Sequence, residues 1–501
     1  MNLRIKLVVI ASIAIMVTSC KKQLDINIDP DNPSLDQGTP ELVFPAGVAS
    51  AAGRIGGDLA IVGGIWAQYY TQNTTSSQYR NFDAFNVTKN DLGSTLLSSP
   101  WAELYSGALN DFQFVINKSK ESQNWNYHLM GTVMKAYTLQ VLVDAYDKVP
   151  YTEAFKGSGN LAPKFDDGYT VYKGLLAEID TALSKNFSAS TNTVAGESDF
   201  IFPAEISDWS IDPWIQFANT LKLKMFMRMV YAKPAEAEAG IKKLYADGAN
   251  FLDVDAKMDV FEDAPDKSNP FYEFNFRKLN TDANLKASVT FLSWLQQNND
   301  PRIEDYFQLA TNSTGYLGIN QGDYENVDPV FNTASKADVR ATDPVDFISL
   351  AESHFLQAEA LERFFNGTGA KAHYDEGVKA AFARYNDNAT PFIAAGGRYA
   401  YPTAGNFEQK LEAIITQKWA SMPGSHALEA FFERNRTNYP RTSAVYSTDA
   451  SYVPGRFVYP KKGVTSGVFA KRLIWPDVEV SKNPNAPAEE PVTKEVWWDV
   501  H

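Results

Sequence analysis

Apolar residues recur every three or four positions along most of this chain, and this spacing predicts a mainly helical fold. The clearest run covers residues 127–147, where one helix face carries Met130, Val133, Met134, Tyr137, Val141 and Ala145. The same spacing predicts further helices over residues 172–183, 214–229, 347–361, 374–385 and 407–415. Pro150 prevents the first run from continuing, because proline has no amide hydrogen to donate.

Two pairs of predicted helices look alike, namely 127–147 with 169–185 and 347–365 with 371–385. In each pair a helix rich in small residues precedes a helix that begins near a tyrosine. Small residues let helices approach closely, and stacked helix hairpins of the tetratricopeptide type bury a continuous core in this way. The pattern favours an α/α superhelical scaffold, with generic helix packing as the alternative.

Long segments rich in aromatic residues, Gly and Asn separate the helices. Loops of such length are uncommon unless they carry function or pack as a layer of their own. Within one of them, residues 271–277 alternate aromatic and polar side chains, which suits ligand contact and equally a β-hairpin edge. We therefore expect a mainly α protein with long loops and minor β-hairpins. The segments are 63–101, 186–212, 262–281, 311–344 and 438–501.

The N-terminal segment has the features of a secretory signal. Arg4 and Lys6 precede an apolar run over 7–17, and Cys20, the single cysteine, follows directly. That run is about half of the roughly 20 residues that a membrane-spanning helix needs. We expect residues 1–19 to be a signal peptide, 20–40 a tether lipidated at Cys20, and 41–501 one helical domain with inserted ligand-binding loops. The lipid would be the chain's only attachment to the membrane.

The tether contains a weak calcium-loop pattern. Asp25, Asn27, Asp29 and Asp31 alternate as calcium ligands do. However, Pro30 stands where an EF-hand needs Gly, and an Asp stands at the position of its final Glu. A solvated leader is the favoured interpretation, and no cofactor or metal is predicted.

The charge and the motif content argue against nucleic acid binding and catalysis. The chain carries a net charge of −14, whereas a protein that binds phosphates needs a basic face. Its five histidines form no HExxH pair and no zinc-ligand spacing, and the chain has no GxSxG or phosphate-binding loop. No pair of carboxylates is marked for glycoside hydrolysis. We expect a binding protein, in which His354 is a packed helix residue.

Several stretches, taken in their order, resemble the SusD/RagB family of outer-membrane nutrient-binding lipoproteins, in its SusD-like branch. In the second of them, the family usually has Gly where Asp147 stands and Asp where Lys148 stands. The stretches are 25–33 (DINIDPDNP), 144–154 (DAYDKVPYTEA), 214–223 (WIQFANTLKL), 351–360 (AESHFLQAEA), 414–419 (IITQKW), 434–440 (RNRTNYP), 456–460 (RFVYP) and 496–499 (VWWD).

This resemblance implies four tetratricopeptide-like helix pairs and a loop-rich face that captures ligand. It also implies a partner, a SusC-like TonB-dependent barrel over which the protein sits as a lid, and a place in the outer membrane facing the cell surface. Glycans are the commonest cargo of the family. A peptide or another nutrient is the alternative cargo, and an adhesive or structural surface lipoprotein is the competing class.

Residues 66–82 (WAQYYTQNTTSSQYRNF) contain the mixture that a sugar site uses. Aromatic rings cover the apolar faces of a sugar, and amide and guanidinium groups bind its hydroxyls. Trp66 fits a core position and a binding position equally. Four tryptophans and a tyrosine lie in motifs that suit a structural role, namely Trp101, Tyr105, Trp419, Trp497 and Trp498. The predicted ligand contacts are Tyr70, Asn73, Tyr79 and Arg80, with Tyr316 or Tyr324 opposing them.

Overall fold

The computed structural model describes residues 38–88, 95–192, 196–278 and 284–500. The segment predicted as a signal peptide, Cys20 and the calcium-like pattern lie outside the described residues. The helices are α1 (Pro40–Arg54), α2 (Ala60–Trp66), α3 (Arg80–Asp83), α4 (Thr95–Glu103), α5 (Asn110–Ser122), α6 (Trp125–Tyr146), α7 (Gly168–Leu183), α8 (Ala204–Ser207), α9 (Asp212–Met229), α10 (Pro234–Ala246), α11 (Pro270–Tyr272), α12 (Val289–Asn298), α13 (Ile303–Tyr306), α14 (Leu350–Phe364), α15 (Ala370–Ala383), α16 (Thr390–Ile393), α17 (Phe407–Ala420), α18 (Ala427–Thr437) and α19 (Asp477–Val480).

Strands are short and form three antiparallel pairs in the described part of the chain. Tyr70 in β1 pairs with Ala287 in β5, Val149 in β2 with Asp166 in β3, and Met258 in β4 with Val345 in β6. Three π-helical turns, Ile55–Leu59, Leu104–Leu109 and Glu273–Arg277, continue neighbouring helices. The strands are β1 (Tyr70–Gln72), β2 (Lys148–Pro150), β3 (Phe165–Asp167), β4 (Ala256–Met258), β5 (Leu285–Ala287) and β6 (Val345–Ile348).

Four helix hairpins build the scaffold, as the family resemblance implied, and the sequence pattern had predicted two of them. They are α6 with α7, α9 with α10, α14 with α15, and α17 with α18, and the two helices of each hairpin pack against each other. Successive hairpins also touch, because α9 contacts both α6 and α14, and α14 contacts α17. The mainly α, tetratricopeptide-like fold is therefore confirmed.

Two local predictions were wrong in detail. Phe347 lies in strand β6 and not in the following helix, because the Ser349 side chain caps α14 by accepting a hydrogen bond from the Glu352 amide at 3.1 Å. Residues 271–277 form a helical turn and not a hairpin edge. There the Asn269 side chain caps the turn by accepting from the Tyr272 amide at 3.1 Å, and Pro270 occupies the first helical position.

The turn after α6 explains a departure from the family pattern. Asp147, which stands where the family usually has Gly, adopts a positive φ of 71°. Glycine reaches this conformation without the steric cost that a side chain brings. The carboxylate of Asp147 accepts a hydrogen bond from the Trp497 amide at 2.7 Å, so the side chain ties the C-terminal segment to the turn.

The most apolar helical stretch, Pro40–Trp66, lies in the protein core. Its length and composition would allow it to cross a membrane. However, 78% of its most apolar 18-residue window is buried inside the protein. Its second half, α2, packs against α18. At Gly63 a Cβ atom would lie 2.4 Å from the Leu428 Cα atom, so only glycine permits this approach.

Buried ion pairs connect the four hairpins. The Arg228 guanidinium in α9 contacts Asp144 in α6 at 2.9 Å and Glu429 in α18 at 2.7 Å, and it also pairs with Glu433. Lys224, one turn earlier, contacts Glu429 at 3.0 Å. All of these side chains are almost fully buried.

A second half of the same network surrounds α14. Glu352 contacts Lys224 at 3.2 Å and Lys418 at 3.3 Å, and Glu359 contacts Arg436 at 2.6 Å. Burial alone would raise the pKa of the Glu352 carboxyl, but Lys224 and Lys418 hold this pKa well below its usual value. The carboxylate is therefore ionised and paired at neutral pH.

We predict that Gly63→Ala lowers the free energy of unfolding by about 1–3 kcal/mol, because the added methyl group meets the Leu428 backbone. The matched control is Gly53→Ala in the same apolar stretch, where nothing lies within 4 Å of the added atom. The control should be neutral or slightly stabilising. Denaturant melts of the two variants make the measurement, and equal stability of both would contradict the close helix approach.

We predict that Arg228→Met destabilises the protein by about 3–5 kcal/mol, because three buried carboxylates lose a shared cation. Arg441→Met, which breaks a surface pair with Glu412, should cost ~1 kcal/mol or less. Thermal melts of both variants test this. A loss for Arg228→Met as small as that of Arg441→Met would mean that the buried network adds nothing to stability.

Candidate functional site

Two loop segments that are distant in sequence meet at Asp83, whose side chain is fully buried. One carboxylate oxygen accepts hydrogen bonds from the Thr71 hydroxyl at 2.7 Å and the Gln72 amide at 3.2 Å. The other accepts from the Gln321 side chain at 2.6 Å. Asp83 thereby joins segment 70–83 to segment 317–324, and we call these two segments with 457–464 the loop platform.

The third segment of the loop platform is held by backbone hydrogen bonds and by one side-chain amide. The Lys461 amide donates to the Gln321 carbonyl at 3.0 Å, and the Val464 amide donates to the Ala84 carbonyl at 3.0 Å. The Gln68 side chain donates to the Val458 carbonyl at 2.6 Å and accepts from the Val458 amide at 3.1 Å. The platform is therefore fixed to the end of α2.

The charge state of Asp83 is sensitive near neutral pH. Burial raises the pKa of the Asp83 carboxyl to about 7, and the hydrogen bonds from Thr71, Gln72 and Gln321 oppose that rise. No cation pairs with Asp83 among the described residues. The joint of the loop platform is thus held by hydrogen bonds and not by an ion pair.

Arg80 and Tyr324 come together on this platform. The Arg80 guanidinium lies 5.1 Å from the centre of the Tyr324 ring, which is a cation–π arrangement. Arg80 is half-buried, and its Nε atom donates to the Ser76 carbonyl at 3.0 Å. Nearby, Lys461 pairs with Asp323 at 2.8 Å, and Lys462 pairs with Glu325. Tyr324 is only 8% exposed, so the platform presents a positioned guanidinium that is backed by a buried aromatic ring and bordered by ion pairs.

Asn73 shapes the loop that carries Arg80. Its side-chain oxygen accepts hydrogen bonds from the Thr75 amide at 2.7 Å and the Ser76 amide at 2.8 Å. This Asx turn fixes the backbone of residues 73–76. Only 5% of Asn73 is exposed, so its visible role here is to hold the loop.

The exposure that the sequence favoured for Tyr79 and Tyr70 is wrong. Each is 1% exposed, and each belongs to the core. The ring of Tyr70 packs between Phe271 and Phe307, with ring centres 5.8 Å and 6.2 Å away. The polar neighbours of Tyr79 satisfy groups inside the loop, since the Tyr79 amide itself donates to the Gln72 side chain at 2.6 Å. A polar sequence context therefore did not mean contact with solvent.

A separate polar cavity of about 230 Å³ lies on the other side of Tyr70. Asp305, Asp338, Arg340 and Arg384 are among its lining residues. Burial and the neighbouring carboxylates raise the pKa of Asp305 to about 6. Tyr316, which is half-buried, lies near the carboxylates of Asp305 and Asp338. The predicted contacts are therefore divided: Asn73, Tyr79, Arg80 and Tyr324 lie on the loop platform, Tyr70 also lines this cavity, and Tyr316 belongs to neither.

The remaining aromatic predictions concern the core. Trp66 is 3% exposed and donates its indole hydrogen to the Phe82 carbonyl at 2.9 Å, which settles its two interpretations in favour of the core. The structural role predicted for Trp101, Trp419 and Trp498 agrees with their burial, whereas Tyr105 and Trp497 are half-buried.

Sequence reasoning missed the residues that hold the loop platform together. Gln68 meets Val458 across 390 positions, and Gln321 meets Asp83 across 238 positions. It also missed the contact between His354 and His373, whose Nδ1 atoms lie 3.1 Å apart on α14 and α15. No periodicity or motif marks such pairs. In the described residues, no group of three or more His, Cys, Asp or Glu side chains is arranged to hold a metal ion.

Comparison with known proteins identifies the family. Residues 62–460 match the SusD-like family described as "Starch-binding associating with outer membrane". Among curated proteins, none matches this chain. Because the family is one of binding proteins, the prediction of a binding protein and not an enzyme is confirmed.

Solved structures share the fold. A SusD homolog from Bacteroides uniformis is 19% identical, with a TM-score of 0.73, over 92% of this chain and 99% of that chain. A chitin-binding SusD homolog from Flavobacterium johnsoniae is 22% identical, with a TM-score of 0.73, over 91% of this chain and 98% of that chain. A SusD-like protein from Bacteroides thetaiotaomicron is 21% identical, with a TM-score of 0.70, over 92% of this chain and 99% of that chain.

These likenesses extend over nearly the whole length of each solved chain, and the family match covers most of this one. They agree with the mainly helical fold described above. The chain belongs to the SusD-like family, whose members are described as starch-binding and associated with the outer membrane.

Proposed function

We propose that this protein captures glycans at the cell surface and passes them to a SusC-like TonB-dependent barrel. The observation that carries the proposal is the Arg80–Tyr324 pair on the loop platform, in a chain whose family is described as starch-binding. The Arg80 guanidinium donates to sugar hydroxyls, and the buried Tyr324 ring beneath it holds the guanidinium in place. The chitin-binding relative supports a glycan over a peptide as the cargo.

The proposal includes a lipid anchor and a division of the chain. Residues 1–19 act as a signal peptide, Cys20 carries the lipid, residues 20–40 form a tether, and 41–501 form the binding domain. Several acyl chains together bind a membrane stably, whereas one chain binds only marginally. In this arrangement the protein needs only to bind ligand and to cover the barrel, since transport energy comes from the barrel's own machinery.

We predict that Arg80→Ala weakens glycan binding about tenfold to hundredfold, by analogy with the loss of ~1–3 kcal/mol when a stacking contact is removed. Because Arg80 is only half-buried, the melting temperature of the variant should hardly change. The measurement is calorimetric binding of maltohexaose and chitohexaose to protein lacking residues 1–20. Arg441→Ala, at an exposed arginine outside the platform, is the matched control.

Tyr79→Ala gives the opposite pattern, because truncating a buried aromatic residue costs about 3–5 kcal/mol of stability. Its melting temperature should fall clearly. Unchanged glycan affinity in Arg80→Ala would remove the platform from the proposed site, and a peptide library that binds where both hexasaccharides fail would favour the alternative cargo.

We predict that Cys20→Ala releases the protein from the membrane fraction or leaves an uncleaved precursor. Wild-type protein, extracted in mild detergent and crosslinked, should carry a TonB-dependent barrel with it. Normal maturation with unchanged membrane fractionation of Cys20→Ala would contradict lipid anchorage. Recovery of wild-type protein without any barrel would favour the adhesive or structural class.

A further inference from the structure

A long groove runs beside helix α5, away from the loop platform. It consists of three adjoining clefts of about 500, 370 and 460 Å³. The first two clefts share Phe155, and the last two share Gln113, Asn117 and Lys135. We call this continuous depression the α5 groove. None of its lining residues belongs to the loop platform.

One face of α5 forms a polar edge along this groove. Asn110, Gln113, Asn117 and Lys120 are spaced three, four and three residues apart, which places them on one helix face. At about 1.5 Å per residue this edge is roughly 15 Å long. The Gln113 side chain donates to the Asn117 side chain at 2.9 Å, so the two amides are already oriented. The groove therefore offers a row of amide donors and acceptors.

Aromatic rings line the groove at one end. The rings of Tyr105 and Phe155 stack with centres 6.2 Å apart and planes inclined by 20°. The Tyr105 hydroxyl donates to the Pro150 carbonyl at 2.9 Å, which fixes its ring. Both rings are half-buried, so part of each faces the clefts that they line. Rows of amides beside aromatic faces suit a chain of sugar units.

The groove is basic although the protein is acidic. Lys120, Lys156 and Lys482 line it, are exposed, and form no ion pair among the described residues. Lys135 is paired with Glu178 at 3.1 Å, so that pair adds no net charge, and the two other charged lining residues, Glu479 and Lys185, have opposite signs. Since the whole chain carries a net charge of −14, this local excess of lysines selects ligands with negative charge.

A buried polar atom marks the far end of the groove. His128 lines the third cleft and is 7% exposed, and its Nδ1 atom has no hydrogen-bond partner in the described residues. Burial lowers the pKa of this imidazole, so the ring is neutral at neutral pH. Because this atom is shut off from solvent, His128 forms part of the groove wall and offers no contact to a bound ligand.

We propose that the α5 groove binds a linear acidic oligosaccharide, as a second site apart from the loop platform. The side-chain amides along α5 contact hydroxyls, the Tyr105 and Phe155 rings cover sugar faces, and the three lysines attract the acidic groups. The proposal rests on the proposed glycan-binding function, but it uses none of the residues that support that function. An acidic peptide is the competing ligand.

The test measures binding of a galacturonic acid hexamer to protein lacking residues 1–20. Combining Lys120→Ala, Lys156→Ala and Lys482→Ala should weaken this binding about tenfold, since exposed charge pairs contribute ~0.2–1 kcal/mol each. Raising the salt concentration should weaken the wild type in the same direction. Combining Lys243→Ala, Lys371→Ala and Lys379→Ala removes equal charge at exposed sites outside the groove and should leave binding almost unchanged.

Two comparisons separate this site from the loop platform. Arg80→Ala should leave hexagalacturonate binding intact, and the groove variant should leave chitohexaose binding intact. If Arg80→Ala alone abolishes chitohexaose binding while the groove behaves as stated, the two sites are distinct. A different result is that neither neutral hexasaccharide binds, whereas hexagalacturonate binds through the groove lysines. This result would contradict glycan binding at the loop platform and would support the proposed site in the α5 groove.

The proposal is overturned by any of three results. These are no wild-type binding of hexagalacturonate, equal losses in the groove and control lysine variants, and tighter binding of a hexaglutamate peptide than of hexagalacturonate. Melting temperatures of both triple variants should match the wild type, because all the replaced side chains are exposed. Matching melts assign any loss of binding to the replaced lysines and not to unfolding.

Discussion

The ion pairs buried between the four helix hairpins are the constraint on which the rest of the fold depends. Arg228 alone joins carboxylates of α6 and α18, and Glu352 of α14 joins Lys224 of α9 to Lys418 of α17. A buried charge without a partner is costly, so each hairpin is stable only when its neighbours supply the opposite charges. The network therefore favours one arrangement of the hairpins, which apolar contacts alone would specify less narrowly. Because the hairpins have one arrangement, the loops that project from them are held at fixed positions relative to one another.

The buried charged residues also show which contacts could not be predicted from the sequence. Apolar periodicity correctly predicted most of the scaffold helices and the partners in two of the four hairpins, because a helix face depends on residues three or four positions apart. The charged residues of α14 and α18 have the sequence character of surface residues, yet Glu359 and Arg436 meet in the core across 77 positions. Long-range pairing of this kind leaves no local trace in a single sequence. The motif resemblance supplied the hairpin count that periodicity alone did not.

The same limit applies to the prediction of the ligand-binding residues on the loop platform. Residues 66–82 were predicted as a ligand-binding stretch from their composition, and two of the predicted residues, Arg80 and Tyr324, do meet. Tyr79 misled the prediction because Ser77 and Gln78 before it are exposed, whereas its own ring is buried in the core. Composition distinguishes polar from apolar surroundings, but it does not reveal whether a polar group faces solvent or the interior. That distinction depends on Gln72 and Asp83, whose partners are fixed only in the folded chain.

The joint at Asp83 links the stability of the scaffold to the presentation of Arg80. The folded protein holds the Asp83 pKa at about 7, above its ordinary value of 3.8, so between these values the folded state binds a proton that the unfolded state lacks. The contribution of Asp83 to stability is therefore largest below pH 4 and declines until about pH 7, above which its ionisation cost is complete. At neutral pH the ionisation of the buried Asp83 side chain lowers the stability of the protein. The donors that are oriented toward this side chain fix the backbone of the loop. Such a cost is tolerable only on a scaffold that is otherwise stable, and the buried ion pairs between the hairpins hold that scaffold in one arrangement.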